Sequence, residues 1–245
     1  MDHFFSGTSG LVLPGPKHSF PIEFQQRPRL EYYASLFNSI EINSSFYKLP
    51  LRGTVRKWAD SVSESFRFTF KLSRSVTHEK EKKIDPCEIA RFMDVVNEVE
   101  SKAGCILVQF PPGAGRNVYA LEKILDEIAV IDHQKWIIAV EFRNMCWYED
   151  DTYKLLEKYN ASLVSHDIPD KSPPAGEYES GNIYLRFHGP GGTYRGSYDK
   201  AYLEEYAQYI KNFVSEGKTV YAYFNNTMGE ALKNLECLNT LVKTI

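Results

Sequence analysis

The sequence predicts an α/β protein, a TIM-like (β/α) barrel with parallel strands and outer helices, in which residues 1–245 form a single domain. Three observations lead to this prediction. Strand-like runs recur eight times, about 31 residues apart, which is the size of a βα repeat. Several of these runs are almost continuously apolar, as expected of strands that are covered on both faces. Segments with helical spacing lie between them.

The eight strand candidates are found in order along the chain. They are "HFFSGTS", "SIEINSS", "FRFTFKLS", "CILVQFP", "WIIAVEF", "SLVSHD", "NIYLRFHG" and "TVYAYFNN". A doubly wound open sheet is the rival architecture. The first strand is followed by "GTSG" rather than by a GxGxxG fingerprint, which favours the barrel.

Four segments between the strands have the apolar spacing of amphipathic helices. They are "PCEIARFMDVVNEVESKAG", "NVYALEKILDEIAV", "DDTYKLLEKYN" and "KAYLEEYAQYIKNFVSEG". The last one stops at Gly217, as a helix with a glycine C-cap would. By contrast, "SHDIPDKSPPAGEYESG" is rich in Pro and Gly and predicts a loop.

Composition and net charge limit the classes of protein to which this chain can belong. With 43% hydrophobic residues and a net charge of −3, the chain has enough apolar residues for one core and no global basic field that would attract nucleic acid or anionic membrane. We find no apolar run of about 20 residues and no secretory signal, so we expect no membrane association. Four scattered cysteines without a CxxC pair indicate reduced thiols and a cytoplasmic location.

Polar side chains accumulate at the carboxyl ends of the predicted strands. Alternation along a strand places residues two apart on the same side, as in the pairs Glu41/Asn43, Glu141/Arg143 and Arg186/His188. Charged groups that face the helix layer would be buried at a cost of several kcal/mol, so the barrel axis is the favourable direction. Active sites of (β/α) barrels lie at this mouth. A structural salt bridge is the alternative explanation for any one pair.

The ordered set "GTSG", "YYASLFNSIEINSSFYKLP", "FRFTFKLSRSVTH", "VQFPP", "AVEFRNMCW", "YLRFHG" and "YAYFNNTMGEAL" resembles the YecE-like family, also called domain of unknown function 72. The resemblance runs from about Phe4 to Leu238 and implies a TIM-barrel-like fold without an assigned activity. Leu11 replaces the aromatic residue that usually follows "GTSG", so the first rim loop is atypical. The polar signature that the resemblance implies consists of Glu41, Asn43, Tyr47, Lys71, His78, Gln109, Glu141, Arg143, Trp147, Asp167, Arg186, His188, Asn225 and Asn226.

The first functional hypothesis is an enzyme or receptor for an anionic ligand that carries phosphate or carboxylate, such as a sugar phosphate or a nucleotide. Lys71, Arg143 and Arg186 would supply positive charge. Glu41 and Glu141 are the candidate general acids or bases, and pairing with Arg143 would keep Glu141 ionised. The Gly-rich "HGPGGTYRGSY" predicts either a phosphate cradle or a lid in which Tyr194 and Tyr198 close on the ligand.

Two further hypotheses stay open at this point. One is a metal-dependent phosphodiesterase or isomerase that uses Glu41, His78, Glu141, Asp167 or His188, by analogy with the endonuclease-IV and xylose-isomerase barrels. The chain has no HxH or HExxH spacing, so we assign no metal ligand and name no cofactor. The other is a module without chemistry that binds nucleic acid or a partner protein through rim aromatics and cations. Whether the protein is an enzyme at all is left undecided.

Overall fold

Eight parallel strands form the centre of the computed structural model, which describes residues 3–78, 84–132, 136–173, 178 and 180–244. The order of hydrogen-bonded strands is β1-β8-β7-β6-β5-β4-β3-β2, and all seven pairings are parallel. The strands are β1 (Phe4–Thr8), β2 (Ser39–Ile42), β3 (Arg67–Lys71), β4 (Ala103–Gln109), β5 (Ile137–Glu141), β6 (Ser162–His166), β7 (Asn182–Phe187) and β8 (Thr219–Phe224). This arrangement confirms the predicted TIM-like barrel and its outer helices.

The two edge strands meet at a narrow seam. A single parallel bridge joins Ser9 to Glu41, and the Gly10 amide donates to the Glu41 carbonyl at 2.7 Å. Gly7 makes this approach possible, because a Cβ at that position would lie 2.0 Å from the Ser39 carbonyl oxygen. Side chains tie the seam further, since the Tyr33 hydroxyl accepts from the Thr8 amide and donates to the Ser39 carbonyl. The sheet is thereby closed into a barrel.

Helices surround the strands in the described part of the chain. They are α1 (Arg29–Leu36), α2 (Ser44–Tyr47), α3 (Arg52–Asp60), α4 (Arg74–Thr77), α5 (Pro86–Val96), α6 (Val118–Ile131), α7 (Asp150–Lys158), α8 (Lys200–Ser215) and α9 (Ala231–Lys243). The apolar side chains that the sequence places on one face of α5, among them Ile89, Phe92 and Met93, are all buried. None of the described helices is long and apolar enough to cross a membrane.

Alternation along the strands separates two cores. Outward side chains such as Phe68, Phe70 and Val140 pack under the helices in one large apolar cluster. Inward side chains fill the lumen, where Tyr184, Tyr221 and Tyr223 lie among small aliphatic residues. The Tyr223 hydroxyl hydrogen-bonds with Ser39 and Thr69, so the lumen is packed and its polar atoms are satisfied. The carboxyl ends of the strands, with their polar side chains, lie above this packed plug.

Candidate active site at the barrel mouth

Four charged side chains from three strands form a continuous chain of ion pairs above the tyrosine layer. Arg186 at the end of β7 holds Glu41 with two bonds, from Nη2 to Oε1 at 2.7 Å and from Nε to Oε2 at 3.0 Å. Its Nη1 donates to Glu141 Oε2 at 2.5 Å, and Glu141 Oε1 accepts from Nε of Arg143. These four side chains therefore converge at the barrel axis, as the sequence predicts.

The chain of ion pairs is buried almost completely. Glu41 and Glu141 have no exposed surface, Arg186 is 2% exposed, and Arg143 is 7% exposed. Burial raises the pKa of Glu141, but Arg186 and Arg143 outweigh it and hold that pKa well below the ordinary value. The same balance of burial against Arg186 lowers the pKa of Glu41. Both carboxylates are thus ionised at neutral pH.

These contacts correct the assignment of Glu41 as a candidate acid or base. Its two oxygens accept from Arg186, from the Ser9 hydroxyl at 2.7 Å and from the Tyr184 hydroxyl at 2.6 Å. A carboxylate with no exposed surface and four donors has no access to a ligand. Glu141 is likewise occupied by two guanidinium groups. Both residues orient the arginines, and proton transfer by either does not fit this geometry.

His188 extends the network outward from the arginines. Its Nε2 lies 3.0 Å from Arg143 Nη2 and 3.4 Å from Arg186 Nη1, while its Nδ1 lies 3.2 Å from Asp167 Oδ1. Burial lowers the pKa of His188 to about 4, against the opposing effect of Asp167. The neutral ring therefore donates from Nδ1 to Asp167 and accepts at Nε2 from the guanidinium groups, which fixes its tautomer.

Lys71 is the remaining cation of the mouth. Its Nζ lies 4.0 Å above the centre of the Phe46 ring, and no carboxylate of the described residues forms an ion pair with it. Burial and the charge of Arg186 lower the pKa of Lys71 to about 8. His78 packs edge-on against the same Phe46 ring at 4.7 Å, and burial and the charge of Lys71 lower its pKa to about 4.

Half-buried polar side chains surround the ion chain at the rim. Asn43 carries a buried Oδ1 without a hydrogen-bond partner in the described structure. Tyr194 reaches over the mouth from the 189–198 loop, and its hydroxyl accepts from Arg143 Nη1 at 3.3 Å. Gln109 is the last residue of β4, and Asn225 directly follows β8, as the sequence predicts. Arg143 is consequently the one member of the ion chain that contacts a rim side chain.

Four predicted ligand contacts lie elsewhere. Trp147 has no exposed surface and stacks on Phe142 at 4.5 Å among the outer core residues, so it does not wall the mouth. The Tyr198 hydroxyl bonds Asp167 and the Gly189 amide, and its ring stacks on Tyr202 of α8.

The other two corrections concern Asn226 and Tyr47. The Asn226 amide donates to the Gly196 carbonyl and to Asn234 of α9, on the outer side of the barrel. It therefore anchors the 189–198 loop. Tyr47 is 73% exposed and lines an outer groove of about 590 Å³ together with Lys48 and Arg74. Tyr47 lies beside the mouth and meets it only through its edge-on contact with Phe46.

Sequence reasoning missed several residues that shape the site. Ser9 and Tyr184 satisfy Glu41. Tyr194, which belongs to the lid alternative of the sequence prediction, contacts Arg143. His166, the last residue of β6, lies in the same cluster, with Nε2 3.0 Å from the Phe142 carbonyl. The "GTSG" motif was the available signal for Ser9, because a hydroxyl directly after a strand end points to the mouth when the preceding inward residue is Gly7.

Metal binding was a separate hypothesis. In the ranges that the structure describes, no three His, Cys, Asp or Glu side chains come together as a set that could hold a metal ion.

The geometry shows which class of protein this is: a (β/α) barrel whose mouth is built on a buried Glu–Arg network. Comparison with known proteins then gives the family. The family model described as "Protein of unknown function DUF72" matches residues 5–244, and the chain belongs to this family. The UPF0759 protein YunF of Bacillus subtilis is 24% identical, over 86% of this chain and 84% of its own length. The UPF0759 protein YecE of Escherichia coli K12 is 29% identical over 100 residues, 40% of this chain and 37% of its own.

Solved structures show the same fold. A DUF72 family protein from Enterococcus faecalis V583 superposes with a TM-score of 0.80 at 23% identity, covering 99% of this chain and 96% of that one. A DUF72 family protein from Thermotoga maritima MSB8 gives a TM-score of 0.67 at 22% identity, covering 98% and 99%. These similarities establish the barrel independently of the pattern of strand ends.

Proposed function

We propose that the barrel mouth binds a small ligand through an anionic group, either a carboxylate or a phosphate. The observation that carries the proposal is an unpaired cation at the mouth. The carboxylates of Glu41 and Glu141 are bonded to the guanidinium groups of Arg143 and Arg186, and Asp167 is bonded to His188 and Tyr198. Lys71 is the cation beside them for which the described residues supply no carboxylate partner.

Hydrogen-bond capacity indicates where the anion would bind. A guanidinium has five N–H groups, and Arg143 uses one each on Glu141, Tyr194 and His188. Two N–H groups of Arg143 are thus left without a hydrogen-bond partner among the described residues, and the residue is 7% exposed. Arg186, in contrast, is enclosed. An oxyanion at the outer edge of Arg143 would receive a charge-assisted bond and lie in the field of Lys71.

Rim amides support the choice of a ligand with hydrogen-bonding groups beside its anion. The unpartnered Oδ1 of Asn43 needs a donor, and an unsatisfied buried acceptor costs about 1–3 kcal/mol. A ligand hydroxyl would satisfy it. Sugar phosphates, hydroxy acids and nucleotides therefore all fall within the proposed class.

The cellular setting is part of the same proposal. All four cysteines are free thiols, with Cys87 and Cys146 exposed. Exposed free thiols fit a reducing compartment, and we propose that the protein works in the cytoplasm.

A binding experiment with a matched pair of variants tests the proposal. Inorganic phosphate and oxalate would be titrated calorimetrically into the wild type, Lys71→Met and Lys48→Met. Lys48 is an exposed lysine outside the barrel axis and serves as the control for loss of one positive charge. We expect saturable binding that weakens about tenfold in Lys71→Met and is unchanged in Lys48→Met. Equal affinities in the three proteins, or no binding to the wild type, would refute the proposal.

A further inference from the structure

Lys71, which is half-buried, differs from Lys102, the buried lysine of the described structure. Lys102 is 7% exposed, and its Nζ donates to the carbonyls of Ala59 and Val62 at 2.7 and 2.9 Å and pairs with Glu64 at 3.2 Å. Lys71 has no such partners among the described residues, only the face of Phe46. The carboxylates of Glu41 and Glu141 are both hydrogen-bonded to arginines. The Lys71 amine therefore lies at the mouth without a hydrogen bond or ion pair to any described residue.

The surroundings of Lys71 favour its neutral form. Burial is the largest cause of its lowered pKa, the positive charges of Arg186 on β7 and Arg143 after β5 add to it, and Glu141 and Glu41 oppose it. Arg74 and the neutral His78 complete the titratable groups on this side. A lysine with a pKa of about 8 is a free amine in roughly a tenth of the molecules at pH 7, against less than one in a thousand for an ordinary lysine. Desolvated lysines next to cations are activated nucleophiles.

We propose that Lys71 forms a Schiff base with the carbonyl group of an aldehyde or ketone that also carries the anionic group. The inference rests on the proposed function, because Arg143 would hold the carboxylate or phosphate while Nζ meets the carbonyl carbon. It names the substrate class of the site: small oxo acids or carbonyl-bearing sugar phosphates.

The chemical step balances without a cofactor. The Nζ lone pair forms a bond to the carbonyl carbon, and the C=O π electrons move to oxygen. Nζ loses a proton and the oxygen gains one, which gives a carbinolamine. A second proton on that oxygen lets it leave as water, and the nitrogen lone pair completes the C=N bond of a protonated imine. No group is oxidised or reduced.

His78 lies beside Lys71 on the Phe46 ring, and its Nδ1 pairs with the Thr77 hydroxyl at 2.8 Å. A pKa of about 4 keeps this ring neutral at the pH of the reaction, so the protons of the step exchange with water. Phe46 would form the apolar floor beneath the imine.

Reductive trapping in the wild-type protein tests the proposal directly. The protein is incubated with glyoxylate or glycolaldehyde phosphate and reduced with borohydride, and the modified lysines are located by peptide mass spectrometry. Acetaldehyde and glycolaldehyde are the uncharged controls. We expect Lys71 to be modified on the order of tenfold faster than Lys48 and Lys102, with a half-maximal rate near pH 8. We expect Lys71→Arg to lose this modification.

The outcomes separate the two proposals. Phosphate binding without preferential modification of Lys71 would overturn the Schiff base and leave the anion site standing. Preferential modification by all four aldehydes at equal rates would support the nucleophile and contradict the anion site. Modification of Lys71 at the rate of Lys48 in the wild type would overturn the inference regardless of how Lys71→Arg folds.

Discussion

Glu141 occupies the central position among the charged residues, because it is bonded to both Arg143 and Arg186. Its removal would leave two guanidinium groups in a buried site with one carboxylate between them. Breaking a buried ion pair by removing one partner is far more costly than losing a surface pair, since the remaining charge stays without compensation.

We therefore predict that Glu141→Gln lowers the free energy of unfolding by about 3–5 kcal/mol. Glu204→Gln is the matched control, because Glu204 pairs with Lys200 across one turn of α8 with both side chains at least half exposed. Such a surface pair contributes about 0.3–0.5 kcal/mol. Urea unfolding of the two variants measures the difference. Similar losses in both would show that the buried network does not stabilise the barrel.

His188 gives the network a pH dependence. Its pKa is about 4 in the folded protein and about 6.5 when unfolded, so the unfolded chain binds more protons between these values. Stability is then full above pH 6.5 and falls as the pH drops toward 4. Integrated over this titration, we predict that His188 alone removes about 2 kcal/mol of the free energy of unfolding between pH 7 and pH 5.

Urea denaturation of the wild type and His188→Gln at these two pH values checks this prediction. The variant is expected to show a smaller loss of stability on acidification, because a glutamine amide does not titrate. His78 and His166, whose pKa values are also lowered by burial, contribute equally to both proteins and cancel. An identical loss in both proteins would show that His188 is protonated in the fold at little cost.

At the residue level, the alternation of side chains along the strands predicted well which polar residues face the barrel axis. Glu41, Lys71, Glu141, Arg143, Arg186 and His188 all meet at the mouth. Two residues show a limit of this prediction. Asp167 and Asn226 each stand next to a second polar residue, His166 or Asn225, and only one of two neighbours can face inward. Polarity alone does not decide which, because the outward one is satisfied by Tyr198 or Asn234.

The seam between β1 and β2 is the most constrained feature at the level of elements. Gly7 allows β1 to approach Ser39, and the bridge at Glu41 lies two residues further along the same strands. Any side chain at position 7 would press on backbone, which gives way less easily than the end of a flexible side chain. The seam thus links barrel closure to the position of Glu41.

We predict that Gly7→Ala destabilises the protein by about 3 kcal/mol or more, through overlap with the Ser39 carbonyl. Gly53→Ala is the control, because a Cβ there meets no atom within 4 Å and the residue lies inside α3. Removing a helical glycine is expected to stabilise by about 0.5 kcal/mol. Opposite shifts in melting temperature confirm the account, whereas a neutral Gly7→Ala would contradict it.

Helices were predicted less completely than strands. The sequence identified α5, α6, α7 and α8 from their apolar stripes but did not delimit α1, α3 or α9. In α3, "RGTVRKWAD", Val55 and Ala59 are buried and Trp58 is half-buried, so the segment offers three apolar positions and a glycine. Neighbouring elements stabilise this helix, and a single sequence window does not contain them.

At the scale of the whole molecule, the barrel positions residues from distant parts of the sequence in a single cluster. Glu41 and Arg186 are separated by 145 positions, yet they share two hydrogen bonds. The strand count and apolar runs predicted this convergence. The depth at which each side chain lies was not predictable, because it depends on the stagger of the strands and on the tyrosines that fill the lumen below.

This depth changes the interpretation of the mouth. The buried Glu–Arg pairs form a rigid support, and the groups available to a ligand lie above it, at Arg143, Lys71 and the rim amides. We propose that a site organised in this way binds an anion beside Lys71, whichever reaction follows.

The most direct test of that claim is a crystal of the wild-type protein soaked in tungstate, with the anion located by its anomalous scattering. We predict a tungstate peak at the barrel mouth within hydrogen-bonding distance of Arg143, and its loss in Lys71→Met crystals soaked in the same way. Anomalous peaks confined to the outer surface, with an unoccupied mouth in the wild type, would contradict the proposed anion site.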